Sequence, residues 1–149
     1  MVNKNNIKES IVVLSKRYGW IAITLLVLLD AFLDVIFEQG KGLESNILKP
    51  VADLFGITNP IFMVPVVLVL IYIAVKLVGL LVRVTDKVYE KSEELVLTTF
   101  VVVYGVFDLL LILYYLFDLR VLMNRYVLIG ILVIVGTAYS WWAEKKLKD

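Results

Sequence analysis

The sequence predicts an all-α integral membrane protein. The expected form is a four-helix bundle with both termini cytoplasmic and a short amphipathic outer-surface helix between the first two spans. Three observations carry this. Hydrophobic residues make up 61% of the chain and charged residues 19%, and mean hydropathy is +0.91. A soluble domain is nearer half apolar and a quarter charged. Four apolar runs approach the ~20 residues that a helix needs to cross hydrocarbon. In 149 residues, four spans and their connections use the whole length, so a single membrane domain over 1–149 is expected.

Residues 1–19 form a polar, then amphipathic leader. Ile7, Ile11, Val12, Leu14 and Tyr18 recur at helical spacing, with Lys4, Lys8, Glu9, Lys16 and Arg17 on the other side. That pattern suits a helix lying on the membrane surface or packing on the bundle. The first span covers 20–37. It lacks a small-residue cleavage site, so it reads as a retained span and not a signal peptide. The connection 38–59 contains Gly40 and Gly42 as breakers. Pro50 opens a short helix there, and Gly56 is placed to cap it.

The second span covers 61–82. Asn59-Pro60 supplies a capping side chain followed by proline in the first helical position. Pro65 lies one turn further on and frees a carbonyl. Ser92 is the expected cap of the next helix, with Glu93 and Glu94 favourably placed in its first turn. The third span covers 95–117 and the fourth 126–142. The fourth ends in Trp141-Trp142 with Lys145, Lys146 and Lys148 following, the order of an interfacial aromatic belt and a cytoplasmic tail. Ten lysines and arginines fall on the side of the termini and the 83–94 loop, four on the other side, and Lys76 lies within a span. The positive-inside rule therefore places both ends in the cytoplasm.

Several chemistries are excluded by composition. Cysteine and histidine are both absent, which removes disulfides, thiolate nucleophiles, Ser-His triads, His-ligated zinc or haem and a histidine proton relay. Net charge is +1, so there is no basic field for nucleic acid. No phosphate-binding loop, metal-ligand spacing or cofactor motif is present, and no cofactor or metal is expected.

The informative residues are the intramembrane charges Asp30, Asp34, Lys76 and Asp108. An ionisable group in hydrocarbon costs roughly 2.5–3.5 kcal/mol on insertion scales, so it is paired, hydrated or functional. Asp30 and Asp34 are four apart and share a helix face. Depth counted at ~1.5 Å per residue sets Lys76 beside Asp30 and Asp34 level with Asp108. Three readings follow. The charges pair helices, with a surplus acid neutral or bonded to Tyr104, Tyr114, Thr24 or Thr99. Alternatively, Asp30, Asp34 and Asp108 line a path for protons, cations or a small solute. The most remote is an intramembrane aspartyl hydrolase with Asp34 and Asp108 sharing a proton; Tyr104-Gly-Val-Phe-Asp108 lacks the Gly-x-Gly-Asp pattern of such enzymes. Gly79, Gly105, Gly136 and Ser140 are small residues that permit close helix approach. A weak repeat relates the first and third spans, each outward-running with a central Asp, Asp30 and Asp108, and each followed by a returning span.

Asp30-Ala-Phe-Leu-Asp34, then Glu44-Ser-Asn-Ile-Leu48, then Lys76 resembles the first hairpin of a family of small prokaryotic membrane proteins. That hairpin reads Asp-x-x-x-Thr, Glu-x-Asn-Pro, then an intramembrane Lys. The likeness covers about residues 25–80; Asp34 replaces the family's Thr and Ile47 its Pro. The family has no established function, so the resemblance implies only a polytopic fold and an Asp30/Lys76 pairing. Taken together, the expectation is a non-enzymatic membrane subunit or assembly component, with a small channel or transporter as the alternative. The expected partners are the lipid bilayer and a homo-oligomer or larger membrane complex.

Overall fold

A computed structural model describes residues 12–39, 48–85, 91–119 and 124–148. Five helices follow in order: α1 (Lys16–Phe37), α2 (Lys49–Leu54), α3 (Pro60–Thr85), α4 (Ser92–Phe117) and α5 (Arg125–Lys148). All but α2 are long and apolar enough to cross a membrane.

Local signals explain most helix ends. Asn59 Oδ1 accepts the Ile61 N–H at 2.9 Å, and Pro60 opens α3. Asn124 Oδ1 does the same for Tyr126 at 3.0 Å at the start of α5. Helix α2 closes in a Schellman motif: Gly56 N–H donates to Asp53 O at 3.2 Å and Ile57 N–H to Ala52 O at 2.8 Å. Gly56 has φ +66°, a conformation that glycine adopts without a Cβ clash. Asp118, with φ 51°, ends α4. Pro65 lies inside α3 and leaves the Ile61 carbonyl without its helical donor. One expectation fails here: Ser92 is the first helical residue, Lys91 occupies the cap position, and no side-chain cap bond forms.

Helices α1, α3 and α4 pack mutually, while α5 lies along α4 alone with no comparable contact to α1 among the described residues. Ile23, Val27 and Ala31 of α1 meet Val64, Ile71 and Val75 of α3 and Val96 and Leu97 of α4. On α1 and α3 these positions recur at four- and seven-residue intervals, one stripe per helix. Many other large side chains, among them Leu25, Phe32, Leu70, Leu77, Ile129 and Ile134, face outward. Lipid is as apolar as leucine, so in a bilayer close backbone approach and buried polar contacts drive association more than apolar burial does. Small residues supply that approach. A Cβ on Gly19 would lie 2.6 Å from Leu97 Cδ2, one on Gly79 3.1 Å from Glu93 Cγ, and one on Gly136 3.1 Å from Val103 Cγ2. Thr99 and Ser140 hydroxyls bond at 3.1 Å across α4 and α5. Gly105 is roomier, with Leu26 4.0 Å from its would-be Cβ.

The two hairpins suggested by the sequence repeat do not pack as equivalents, because α3 touches both α1 and α4 whereas α5 touches α4. The space beside α5 at its C-terminal end is filled instead by residues 12–14. Val13 is buried with Leu95 and Ala143. The Leu14 N–H donates to Thr98 Oγ1 at 3.0 Å, and the Tyr139 hydroxyl donates to the Val12 carbonyl at 2.6 Å. This end of the leader therefore packs on the bundle; residues 1–11 lie outside the described residues.

Candidate functional site

The intramembrane charges divide into two groups at different levels. Lys76 belongs to the end of the bundle where α1 begins. Its Nζ lies 2.9 Å from both Glu93 Oε1 and Oε2, and Lys16 Nζ lies 3.1 Å from Glu93 Oε2. Glu93, in the first turn of α4, is thus held by lysines from α1 and α3. Gly79, one turn beyond Lys76, gives the Glu93 backbone room, since its Cα lies 3.5 Å from the would-be Cβ. The Lys76 side chain is 47% exposed, and its ammonium sits 5.7 Å from the Tyr72 ring.

The expected pairing of Lys76 with Asp30 is therefore corrected. Helix α3 continues past Gly79 to Thr85, so α4 begins about one turn beyond Lys76 and not level with the end of α3. A lysine stem extends along its helix toward the polar boundary, and there it meets a carboxylate. The sequence contained Glu93, but as a first-turn acid of α4; its pairing depended on how far α3 overshoots.

The second group lies between α1 and α4, which run parallel in a fixed register. Four cross-contacts fix it: Lys16 with Glu93, Gly19 with Leu97, Leu26 with Gly105, and Glu38 with Tyr115, at numbering offsets of 77, 78, 79 and 77. An offset of 78 sets Asp30 opposite Asp108. The two are close enough to interact electrostatically, and Tyr104 is within reach of both. The expected levelling of Asp34 with Asp108 is off by one turn. The reason is that α1 starts at Lys16, four residues before the apolar run used for the depth count, and it is Lys16 that stands level with Glu93.

Asp108 is 2% exposed, and neither of its carboxylate oxygens has a hydrogen-bond partner among the described residues. Threonines that could have served the acids are engaged locally: Thr24 donates to Trp20 O at 2.7 Å and Thr99 to Leu95 O at 2.9 Å. One turn beyond Asp30, Asp34 lies within electrostatic reach of Tyr115. A further turn on, Glu38 Oε1 accepts the Tyr115 hydroxyl at 2.8 Å, and Phe37 stacks on the Tyr115 ring at 4.5 Å. Tyr115 thus closes the Glu38 end of the α1–α4 seam. Sequence reasoning missed Glu38, although it continues the Asp30, Asp34 spacing of four. Beside it, Val35, Gln39, Thr58, Asn59 and Pro60 line an open recess of about 220 Å³.

Chemically, the arrangement is a polar clamp at one end and a seam of carboxyls and phenols running from the interior to the other end. Among the described residues no group of three or more acidic side chains could hold a metal ion. Comparison with known proteins gives no match to a protein family, to a curated protein or to a solved structure.

Proposed function

We propose that the protein is a non-enzymatic, multi-pass component of a prokaryotic cell membrane, in which charged side chains set the register of the helices. The observation that carries this is the capture of Lys76 by Glu93 together with Lys16. The one basic residue inside a predicted span joins three helices at the polar boundary, held by Glu93. The lysine and arginine distribution favours cytoplasmic termini, which puts Lys16, Lys76 and Glu93 at the inner boundary and α2 at the outer surface. The partners in this reading are lipid and further copies or subunits, since among the described residues α5 packs on α4 and residues 12–14 and leaves its other side chains facing outward. The partial likeness to a family of small prokaryotic membrane proteins is part of the same proposal; its Glu44–Ile47 segment lies outside the described residues.

A double-mutant cycle tests it. Lys76→Met and Glu93→Gln each lower the thermal midpoint in detergent, and the double variant is less harmed than the two effects combined, because the Lys76–Glu93 contact is lost only once. Strict additivity refutes the pairing.

A second reading is transport of protons or cations, favoured by one observation: Asp108 is buried opposite Asp30 with its oxygens unpartnered among the described residues. Reconstituted protein then supports flux of H⁺, Na⁺ or K⁺ in proteoliposomes that depends on Asp108. Equal flux in protein-free vesicles overturns it.

A further inference from the structure

We infer that Asp30 and Asp108 hold an exchangeable proton between them in the membrane interior, and that this site communicates with the Glu38 end of the bundle through Asp34. The inference deepens the transport reading. A pair can bind a proton without conducting one, so binding and flux fail separately.

The geometry supplies four parts. First, the α1–α4 register sets the two residues level, ~21 Å along α1 from Lys16 at ~1.5 Å per residue, and their charges are close enough to interact. Second, Asp108 is 2% exposed with both oxygens unpartnered among the described residues. A carboxylate is an acceptor only, so two facing carboxylates cannot satisfy one another. Adding one proton makes one of them a donor, and an O–H···O bond then forms across the seam. Third, another cation is poorly served. Lys76 is bound to Glu93 at the Lys16 end, and the described residues hold no acidic cluster fit for a metal. A proton needs no further ligand shell. Like charges this close do not both ionise easily in a low-dielectric site.

Fourth, the surroundings differ in the two directions. Toward Lys16 the seam is closed by Ile23, Val27 and Leu97, all buried. Toward Glu38, α1 presents Asp34 and then Glu38 at successive turns, and α4 presents Tyr115 bonded to Glu38. The open recess lined by Val35 and Gln39 adjoins that end. Among the described residues the titratable groups near the pair are Asp34 and Glu38 from α1 and Tyr104 from α4, and Tyr115 reaches Asp34 and Glu38. Tyr72 of α3 lies against Trp20, toward Lys16, and Tyr139 of α5 is bonded to Val12.

Difference infrared spectroscopy on the full-length protein in lipid reads this directly. A protonated carboxyl has a C=O stretch separate from carboxylate and amide bands, and it shifts when the proton is exchanged for deuterium. The unmodified protein shows one such deuterium-sensitive band. Asp30→Asn and Asp108→Asn each displace it, and the double variant loses it. In Asp34→Leu the band remains and its deuterium exchange slows. Circular dichroism confirms helical content in each variant. Asp108→Glu, which keeps the carboxyl, retains a displaced band and guards against a folding defect in the asparagine form. Absence of the band from folded unmodified protein overturns the inference, as does a band indifferent to both asparagine substitutions. Loss of the band on adding Na⁺ at constant pH shows a metal-cation site and overturns it too. Exchange unchanged in Asp34→Leu refutes the proposed route.

Discussion

Replacing Asp108 by leucine probes what the buried carboxyl does for the fold. Leucine matches aspartate atom for atom in branching, with two methyls in place of the two oxygens. In the structure those oxygens are buried and unpartnered among the described residues, and the residue is 2% exposed. One proton shared with Asp30 satisfies one of them, and the oxygen left unsatisfied costs ~1–3 kcal/mol; in Asp108→Leu the proton stays on Asp30, which is then neutral. Methyls are larger than oxygens, and overpacking a filled site costs ~1–3 kcal/mol when the surroundings cannot move. Asp108→Leu is therefore expected to leave stability unchanged or raise it by up to ~2 kcal/mol, once partial overpacking offsets the gain. For a chain of this length ~1 kcal/mol corresponds to ~2–4 °C in thermal midpoint, so the expected shift runs from zero to ~8 °C upward. The assay is thermal unfolding in detergent followed by circular dichroism at 222 nm, a wavelength that reports helix. Leu111→Ala, a buried apolar neighbour one turn away on α4, serves as the opposite control, with an expected loss of ~2–5 kcal/mol. If Asp108→Leu lowers stability by as much as that control, the carboxyl is a structural anchor. The reasoning that it is held in the core at a cost to stability is then refuted.

Other outcomes follow from single contacts. Gly19→Val drives a side chain into Leu97, whose Cδ2 would lie 2.6 Å from a new Cβ; a loss of ~1–3 kcal/mol is expected, partly relieved by Leu97→Ala in the same chain and measured as a thermal midpoint. Leu97→Ala alone, at a 1% exposed position, loses ~2–5 kcal/mol in the same assay. Tyr139→Phe removes the donor to the Val12 carbonyl, with an expected loss of ~0.5–1.5 kcal/mol and faster protease cleavage before Lys16. Because cysteine is absent, single cysteines at Asp53 and Glu144 report topology with a membrane-impermeant maleimide on intact cells. Labelling at position 53 and protection at 144 is the expected pattern; the reverse places both termini outside.

The parts legible in the sequence were those set by local chemistry. Four apolar runs of bilayer length, Asn59-Pro60 and Gly56 mark helices and their ends wherever the neighbours lie. Water and lipid each demand that backbone groups be satisfied, and only a helix does that within one segment. Which charges meet is different in kind. Lys76 stands the same distance from Arg83 in any fold, but its partner depends on how far α3 overshoots the start of α4. That overshoot is set by Gly79 against Glu93. Asp108 finds Asp30 and not Asp34 because Lys16 sits level with Glu93, and Gly19 lets α1 seat on Leu97. A shift of one turn exchanges every cross-helix partner while leaving each helix intact. The sequence by itself determined the helices, their apolar stripes and the presence of acids inside them; the tertiary register alone decided which of those acids stand level across the α1–α4 seam.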